Sequence, residues 1–364
     1  FDTYIGGDND GDGYYWDYNE EKTKLVEKSV EENPLTFTLG GEGTTSSPYI
    51  INTKEELKQV NLKLNKVYQL NSDIDLTDEE RFYVIGSNYN PFTGTFDGHS
   101  HEISNLSLKN EKLSFAGLFG RITGTVKNIV AKNMKINGNV NTGGLCGSSS
   151  GIIKNLNFEN VNIKGLNNVG GISGSGGSNA SILHSKVSGR VEGNENVGGV
   201  IGSTGYVEVI ANTTSNTNVV GVTNVGGISG NGGTQRASGV VQSGDVSGTK
   251  YVGGISGSCD VYAMTGGVYK SGNVSGESYV RRIIGGRASN YTNLLPGYAV
   301  KSTTVNGKQI EESNPSSIDG QTIDAYDNIL EDINMAELVF DTYIGGDNDG
   351  DGYYWDYNEE KTKL

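Results

Sequence analysis

The amino-acid sequence predicts an all-β fold, a single-stranded parallel β-solenoid with coils of 27–28 residues and short helical caps. A six-residue motif recurs seven times at steps of 27 or 28 residues, and a period this regular indicates stacked repeats. Glycine is abundant, with 55 residues against 5 prolines among 364, which suits tight corners and disfavours repeats of helix pairs. The segments between the motifs alternate β-branched and polar residues, as strands do. The general preference for right-handed crossovers predicts a right-handed coil.

The motif copies place two apolar positions at the same point of every coil. They read FAGLFG (115–120), TGGLCG (142–147), VGGISG (169–174), VGGVIG (197–202), VGGISG (225–230), VGGISG (252–257) and VRRIIG (280–285). The last copy has arginine in place of the first two glycines, which is typical of a terminal repeat. We expect two inward-facing columns, formed by the first residues (Phe115, Thr142, Val169, Val197, Val225, Val252, Val280) and the fourth residues (Leu118, Leu145, Ile172, Val200, Ile228, Ile255, Ile283).

A column of asparagines is expected on the outside of the coils. The residue before the motif is Asn141, Asn168, Asn196 and Asn224 in four successive copies, and Tyr251 and Tyr279 in the last two. Asparagine side chains stacked at strand spacing can hydrogen-bond along the stack, so we interpret this column as structural.

Both ends of the solenoid carry helical signals, which suit the capping of exposed strand edges. Thr53-Lys54-Glu55-Glu56 forms a capping box that predicts a helix through about Val60. Ile323–Val339 has apolar residues at helical spacing.

Residues 1–25 and 340–364 are the same 25-residue segment, letter for letter. We interpret the chain as one unit of a tandem array, whose partners are adjacent copies of the same domain. The alternative is that the segment was duplicated by design. The predicted divisions are residues 1–33, the tail of the preceding unit and a linker; 34–339, the solenoid with its caps; and 340–364, the segment that duplicates 1–25.

The composition excludes several classes of partner. The net charge of −15 makes nucleic acid a poor partner. It suits cation binding and an extracellular or cell-surface location. No run of 18 apolar residues occurs, so we expect no direct membrane insertion. Cys146 and Cys259 lie about four coils apart, so we expect two small buried residues rather than a disulfide.

Calcium is the cofactor that the two flanking segments suggest. Each contains D-x-D-x-D-G, in which three carboxylates at alternate positions can converge on one hard cation. The twelfth position is Asn19 or Asn358, with Glu20 or Glu359 one residue late, so the second half of the calcium loop departs from the pattern. The alternative is an acidic turn with no ion. The expected Ca²⁺ ligands are Asp8, Asp10 and Asp12 with the carbonyl of Tyr14, and Asp347, Asp349 and Asp351 with the carbonyl of Tyr353.

Two further groups of residues have a chemical and a structural interpretation. Asp97, His99 and His101 alternate along a strand and could face one metal ion, although turn chemistry explains the pattern without a fourth ligand. Asp73, Asp75 and Asp78 could act as paired carboxylates of a glycosidase, although no basic partner is identifiable nearby. We interpret both groups as structural and predict no catalytic residues.

The repeated VGGISG core and the lead-in segments INTKEELKQV, YQLNSDIDLTD and FTGTFDGHSHEISNLSL resemble the GLUG-motif solenoids of bacterial surface proteins. The resemblance covers roughly residues 47–340 and extends to the N-terminal region of streptococcal-type IgA1 proteases. It implies a non-catalytic module, because members of this family carry the region as one. The protease activity is not implied, because this sequence lacks the HExxH zinc motif of those proteases.

The expected function is therefore a structural or adhesive repeat module of a secreted or cell-surface bacterial protein. Two alternatives remain open. One is a carbohydrate-active β-helix enzyme, and the other is a module that binds a host glycan or protein.

Overall fold

The computed structural model describes residues 14–18, 25–29, 36–77, 82, 84–204, 208–232, 235–259, 264–265, 267–287 and 296–327. Parallel stacked sheets form a β-solenoid of about eight turns with coils of about 28 residues and very little helix. This confirms the predicted all-β solenoid. Each central coil contributes strands to four sheets, which we number in the order in which the chain visits them within a coil.

The first and second sheets form two sides of the solenoid, and the second sheet bends midway, so that a coil contributes either one long strand or two short ones. The first sheet is parallel throughout and contains β3 (Tyr49–Ile51), β4 (Val67–Leu70), β6 (Thr95–Asp97), β10 (Thr125–Lys127), β15 (Ile152–Lys154), β19 (Ser181–Leu183), β23 (Glu208–Ala211), β27 (Gln235–Ser238) and β32 (Met264–Thr265). The second contains β5 (Ile74–Asp75), β7 (Glu102–Ser104), β8 (Ser107–Lys109), β11 (Val130–Lys132), β12 (Lys135–Asn137), β16 (Asn157–Lys164), β20 (Lys186–Glu192), β24 (Thr214–Val220), β28 (Val241–Ser243), β29 (Val246–Ser247), β33 (Gly267–Ser271), β34 (Asn273–Ser275), β37 (Gly297–Val300), β38 (Thr304–Val305), β39 (Lys308–Gln309) and β40 (Gln321–Ile323).

The glycine motif forms the corner between the third and fourth sheets. The third sheet contains β13 (Thr142–Gly143), β17 (Asn167–Gly170), β21 (Glu195–Gly198), β25 (Thr223–Gly226), β30 (Lys250–Gly253) and β35 (Ser278–Arg281). The fourth contains β9 (Phe119–Ile122), β14 (Cys146–Ser149), β18 (Ser173–Gly176), β22 (Ile201–Ser203), β26 (Ser229–Gly232), β31 (Ser256–Cys259) and β36 (Ile284–Arg287).

The two predicted apolar columns line the core, with one correction. Val169, Val197 and Val225 are register partners in consecutive coils and are fully buried, as is the column that contains Leu145. In the first copy, however, Ala116 pairs with Thr142, and the prediction that Phe115 joins the inward column is wrong. The chain has one residue fewer between Ala116 and the start of β9 than between Thr142 and the start of β14. Phe115 therefore occupies the outer position, is half-buried and has a φ of 58°.

The second glycine of the VGGISG-type motifs allows the coils to stack closely. A Cβ atom at Gly199 would lie 2.0 Å from the carbonyl oxygen of Gly227, and one at Gly227 would lie 2.1 Å from that of Gly254. A Cβ atom at Gly254 would lie equally close, 2.1 Å from the carbonyl oxygen of Arg282, which is the equivalent residue of the last copy. A side chain is excluded wherever another coil follows at this position.

Arg282 shows how the stack ends. Its side chain is fully buried under residues 310–322. The guanidinium donates hydrogen bonds to the carbonyl oxygens of Ile310 (2.8 Å), Asp319 (3.1 Å) and Gly320 (2.9 Å), and to Oγ1 of Thr322 (2.9 Å). Within the described residues no further motif coil follows, so this position can hold a large side chain, and its donors satisfy carbonyls of the covering segment. The terminal-repeat interpretation of VRRIIG agrees with this arrangement.

The helical cap near the N-terminal end is confirmed. α1 (Lys54–Lys58) is followed by a 3₁₀ turn at Gln59–Leu62. Oγ1 of Thr53 accepts a hydrogen bond from the Glu56 backbone N–H at 3.2 Å, and the Glu56 carboxylate accepts one from the backbone N–H of Asn52 at 2.6 Å. Helices in the described part of the chain are too short and too polar to cross a membrane.

At the other end, the helix predicted for Ile323–Val339 does not begin at Ile323. This residue ends β40, where it pairs with Val300 of β37, because the sheet takes one more parallel strand before the chain leaves it. Residues 328–339 lie outside the described part.

Two smaller features complete the fold. β1 (Tyr14–Tyr18) and β2 (Leu25–Ser29) form an antiparallel hairpin, and β1 lies within the duplicated segment while β2 begins on its last residue. Cys146 and Cys259 are buried thiols rather than a disulfide, as predicted. Burial raises the pKa of Cys146 to about 12.

Candidate functional site

The residues predicted to bind calcium are almost all outside the described part of the chain. They are Asp8, Asp10, Asp12, Asp347, Asp349, Asp351 and Tyr353. Tyr14 is described through its backbone, as the first residue of β1, where it pairs with Ser29. The calcium site stays a prediction.

The asparagine column of the third sheet is a continuous hydrogen-bonded ladder. The side-chain amide of Asn168 donates to Oδ1 of Asn141 at 2.8 Å, that of Asn196 to Asn168 at 2.9 Å, and that of Asn224 to Asn196 at 2.9 Å. All four residues have φ between 55° and 59°, in the left-handed region that asparagine tolerates better than most residues. The ladder supports the structural interpretation of this column.

Two further asparagine ladders were missed by the sequence analysis, although their spacing of 27 or 28 residues was visible. Asn105, Asn133 and Asn160 line the bend of the second sheet, and Asn128 and Asn155 line the corner before it. Each ladder ends on a carboxylate, since Asn105 donates to Asp75 at 2.8 Å and Asn128 to Asp97 at 2.9 Å. A carboxylate accepts hydrogen bonds and donates none, so it is a suitable end for a row of side-chain amides that each donate to the next residue.

The carboxylates considered for glycoside hydrolysis are engaged in turns. Asp75 also accepts from the backbone N–H and Oγ1 of Thr77, at 2.9 and 2.7 Å. The hydrogen bonds from Asn105 and Thr77 lower the pKa of Asp75 to about 2. The backbone N–H of Glu102 and the His101 ring lower the pKa of Asp73. A general acid needs a raised pKa, so these two residues fit a structural role, and Asp78 lies outside the described part.

Asp97, His99 and His101 form a tight turn rather than a cluster of metal ligands. Asp97 accepts from the backbone N–H of His99 at 2.9 Å and forms an ion pair with Lys127 at 3.2 Å. Partial burial would raise the pKa of Asp97, but the hydrogen bonds from Asn128, His99 and Lys127 lower it. Among the described residues, no group of three or more His, Cys, Asp and Glu side chains is placed to hold a metal ion.

An open groove of about 600 Å³ runs across the outer face of the first sheet. Its lining includes outward residues that repeat from coil to coil, among them Thr95 and Thr125, and Lys127 and Lys154. Asp97 is the carboxylate among its lining residues, and it is the one paired with Lys127. The groove therefore has a mixed apolar and polar surface without a pair of carboxylates.

A cluster of aromatic residues continues the asparagine ladder of the third sheet. The rings of Tyr251 and Tyr279 are stacked, with centroids 4.8 Å apart and planes inclined by 32°. The ammonium of Lys250 lies 4.7 Å from the ring centroid of Tyr251 and 6.0 Å from that of Tyr279. Tyr279 is 56% exposed.

Comparisons with known proteins give short matches in sequence. No family model matches the chain. The chain is 32% identical to the halomucin of Haloquadratum walsbyi over 125 residues, which is 30% of this chain and 1% of that protein. It is 32% identical to the "Putative Gly-rich membrane protein" of Evansella cellulosilytica over 118 residues, which is 30% of this chain and 13% of that protein. The chain therefore matches a small part of the length of these curated relatives.

Among solved structures, the chain is similar to a "putative immunoglobulin A1 protease" from Bacteroides ovatus. The sequences are 20% identical, the TM-score is 0.44, and the match covers 78% of this chain and 85% of that chain.

Proposed function

We propose that this chain is a non-catalytic structural and adhesive repeat module of a secreted or cell-surface bacterial protein, and that it is one unit of a tandem array. The observation that carries the proposal is the identical 25-residue segment on both sides of one solenoid. A solenoid grows along one axis, and about eight coils at ~4.8 Å each give a rod of about 40 Å. Units joined in series would extend a distal part of the protein away from the surface.

The use of polar side chains supports a structural role. The asparagines of the three ladders donate hydrogen bonds to the asparagine of the preceding coil or, where a ladder ends, to Asp75 or Asp97, so their amides link neighbouring coils. The resemblance to GLUG-motif solenoids supports the same proposal. The names of the two curated relatives, a halomucin and a Gly-rich membrane protein, support an extracellular or surface location.

Single-molecule force spectroscopy tests the tandem proposal. A protein of three units is expected to unfold in three events of equal size. Each event should add a contour length on the order of 1000 Å, from the extension of roughly 280 residues. A single event, or events of unequal size, would mean that the units are not separate solenoids in series.

A second candidate is a module that binds a glycan or a protein, which the exposed Tyr279 and the groove of the first sheet favour. The enzyme alternative has less support, since the groove is lined by the ion-paired Asp97 and not by two carboxylates.

A further inference from the structure

We propose that Tyr251, Tyr279 and Lys250 form a glycan-binding site at the end of the third sheet. In this site a pyranose ring lies with its C–H face on the ring of Tyr279, and its hydroxyl or carboxylate groups contact the ammonium of Lys250. The inference goes beyond the proposed spacer role and rests on it only for the surface location that would bring the site to a glycan.

The backbone at both tyrosines is unusual for an aromatic residue. Tyr251 has a φ of 56° and Tyr279 a φ of 54°, in the left-handed region where a bulky side chain is an outlier. The four preceding coils have asparagine here, which tolerates this conformation and extends the ladder. Asparagine would be the less strained choice at residues 251 and 279. Phe115 has the same conformation in the first motif coil, so strain alone does not identify a site. Strained residues cluster at binding sites, and at Tyr279 the strain coincides with an exposed ring.

A neighbouring strand is altered to accommodate the first ring. Gly286 of β36 pairs with Ser258 of the preceding coil. At this position each of the other coils has a residue with a side chain. A Cβ atom at Gly286 would lie 2.4 Å from Cδ1 of Tyr251. The glycine therefore provides the space in which the Tyr251 ring lies. The equivalent residues of the other coils are Arg121, Ser148, Ser175, Ser203, Asn231 and Ser258.

The second ring is available to a ligand. β35 is the last strand of the third sheet in the described part, so no following strand of that sheet covers the face of Tyr279 that points away from Tyr251. The stacked partner fixes the orientation of Tyr279, which reduces the entropy lost on binding. The ammonium of Lys250 lies over the Tyr251 ring and within 6.0 Å of the centroid of Tyr279.

The surroundings favour a sugar over an apolar peptide segment. The residues beside the rings in the same sheet are Asn224, Lys250 and Ser278, which offer an amide, an ammonium and a hydroxyl. A ligand with one C–H face and a rim of hydroxyl groups matches an aromatic ring bordered by hydrogen-bonding side chains. Lys250 should favour acidic sugars, although the chain as a whole carries a charge of −15. Repetition of the site along an array would raise its avidity.

The test uses the full chain on a microarray of neutral, uronic acid-containing and sialylated oligosaccharides, followed by calorimetric titration of those that bind. The double variant Tyr251→Asn/Tyr279→Asn should lose at least tenfold in affinity, while its thermal midpoint stays equal or rises, because asparagine relieves the strain and extends the ladder. Lys250→Gln should weaken binding of acidic glycans more than that of neutral ones. Tyr89→Asn, which changes a 76% exposed tyrosine outside the cluster, should bind as the parent does.

Three outcomes would overturn the proposal. They are the absence of glycan binding by the parent chain, undiminished binding by the double variant, and binding to a mucin that persists after its glycans are removed, which would indicate a protein ligand. A fall in the thermal midpoint of the double variant without glycan binding by the parent would instead assign the tyrosines to capping of the ladder. Because the tyrosines lie outside the joints between units, force measurements on the array test the spacer role separately.

Discussion

At the scale of single residues, asparagine does two things in this molecule that few residues can do together. It adopts the left-handed conformation at corners, and its amide both donates and accepts, so one residue per coil forms a chain of hydrogen bonds. The sequence predicted the ladder that starts at Asn141, because the neighbouring glycine motif fixed its register. The ladders at Asn105 and Asn128 adjoin no such motif, so their spacing of 27 or 28 residues, although visible in the sequence, was not assigned to a column.

The ladder predicts a measurable loss of stability when one rung is removed. Asn196→Ala removes two hydrogen bonds and places alanine at a φ of 56°, so we expect a loss of about 2–4 kcal/mol in the free energy of unfolding. Asn196→Gly keeps the conformation accessible and should cost about half as much. Urea denaturation measures both.

Asn216→Ala on β24 is the matched control, since this exposed side chain lies outside the ladders, and we expect a change within ~0.5 kcal/mol. Equal, small effects of all three substitutions would show that the ladder does not stabilise the fold.

The carboxylate at the end of a ladder predicts a pH dependence. The pKa of Asp75 is lowered to about 2 in the folded chain, so its contribution to stability is present above the ordinary pKa of an aspartate and is lost as the pH falls toward 2. We therefore expect the parent to have a higher thermal midpoint than Asp75→Asn at pH 7, and the difference to vanish near pH 2. A difference for Asp75→Asn that is independent of pH would contradict this account.

At the scale of elements, the coil is set by glycines that have no room for a side chain. The sequence predicted the motif corners and the two apolar columns, because their period is regular. It misplaced Phe115, since an ungapped comparison of motifs hides one missing residue between the third and fourth sheets. It also assigned Ile323 to a helix, because apolar spacing alone does not reveal that β37 has an open edge for one more strand.

The close approach of coils predicts that the second motif glycine cannot be replaced. Gly227→Ala would place a Cβ atom 2.1 Å from a backbone oxygen of the next coil, which can move only if the coils separate. We expect a loss of at least about 3 kcal/mol in the free energy of unfolding. Gly40→Ala is the control, because a Cβ atom there meets nothing within 4 Å. Equal effects of the two substitutions in urea denaturation would contradict the stacking argument.

At the scale of the whole molecule, the reach of the proposed array depends on the joint between units, which the duplicated segment would form. The hairpin of β1 and β2 joins a strand within the duplicate to one that extends beyond it, so the boundary of the sequence repeat falls inside a structural element. The sequence predicted the repeat but not this hairpin. Turn residues and charges surround the aromatic run Tyr14–Tyr18, and this run was not interpreted as a strand from the sequence.

Calcium is expected to stabilise the joint. Three carboxylates brought together without a cation repel one another, so a bound ion would offset that repulsion and stabilise the folded segment by mass action. We expect Ca²⁺ to raise the thermal midpoint and to protect residues 340–364 from proteolysis, with a dissociation constant of ~10⁻⁴–10⁻³ M.

Asp349→Ala should remove most of the effect of Ca²⁺, whereas Asp324→Ala should leave it intact. If millimolar Ca²⁺ changes neither melting nor digestion of the parent, the segment is an acidic turn without an ion.

The central claim is that the units are rods that add their lengths, and small-angle X-ray scattering of proteins with one, two and three units measures this directly. Each added unit is expected to increase the maximum dimension by a constant amount of at least about 40 Å, the length of about eight coils at ~4.8 Å. The cross-sectional radius should stay the same. A maximum dimension that barely grows as units are added, with a widening cross-section, would show that the units fold back on one another and would contradict the account.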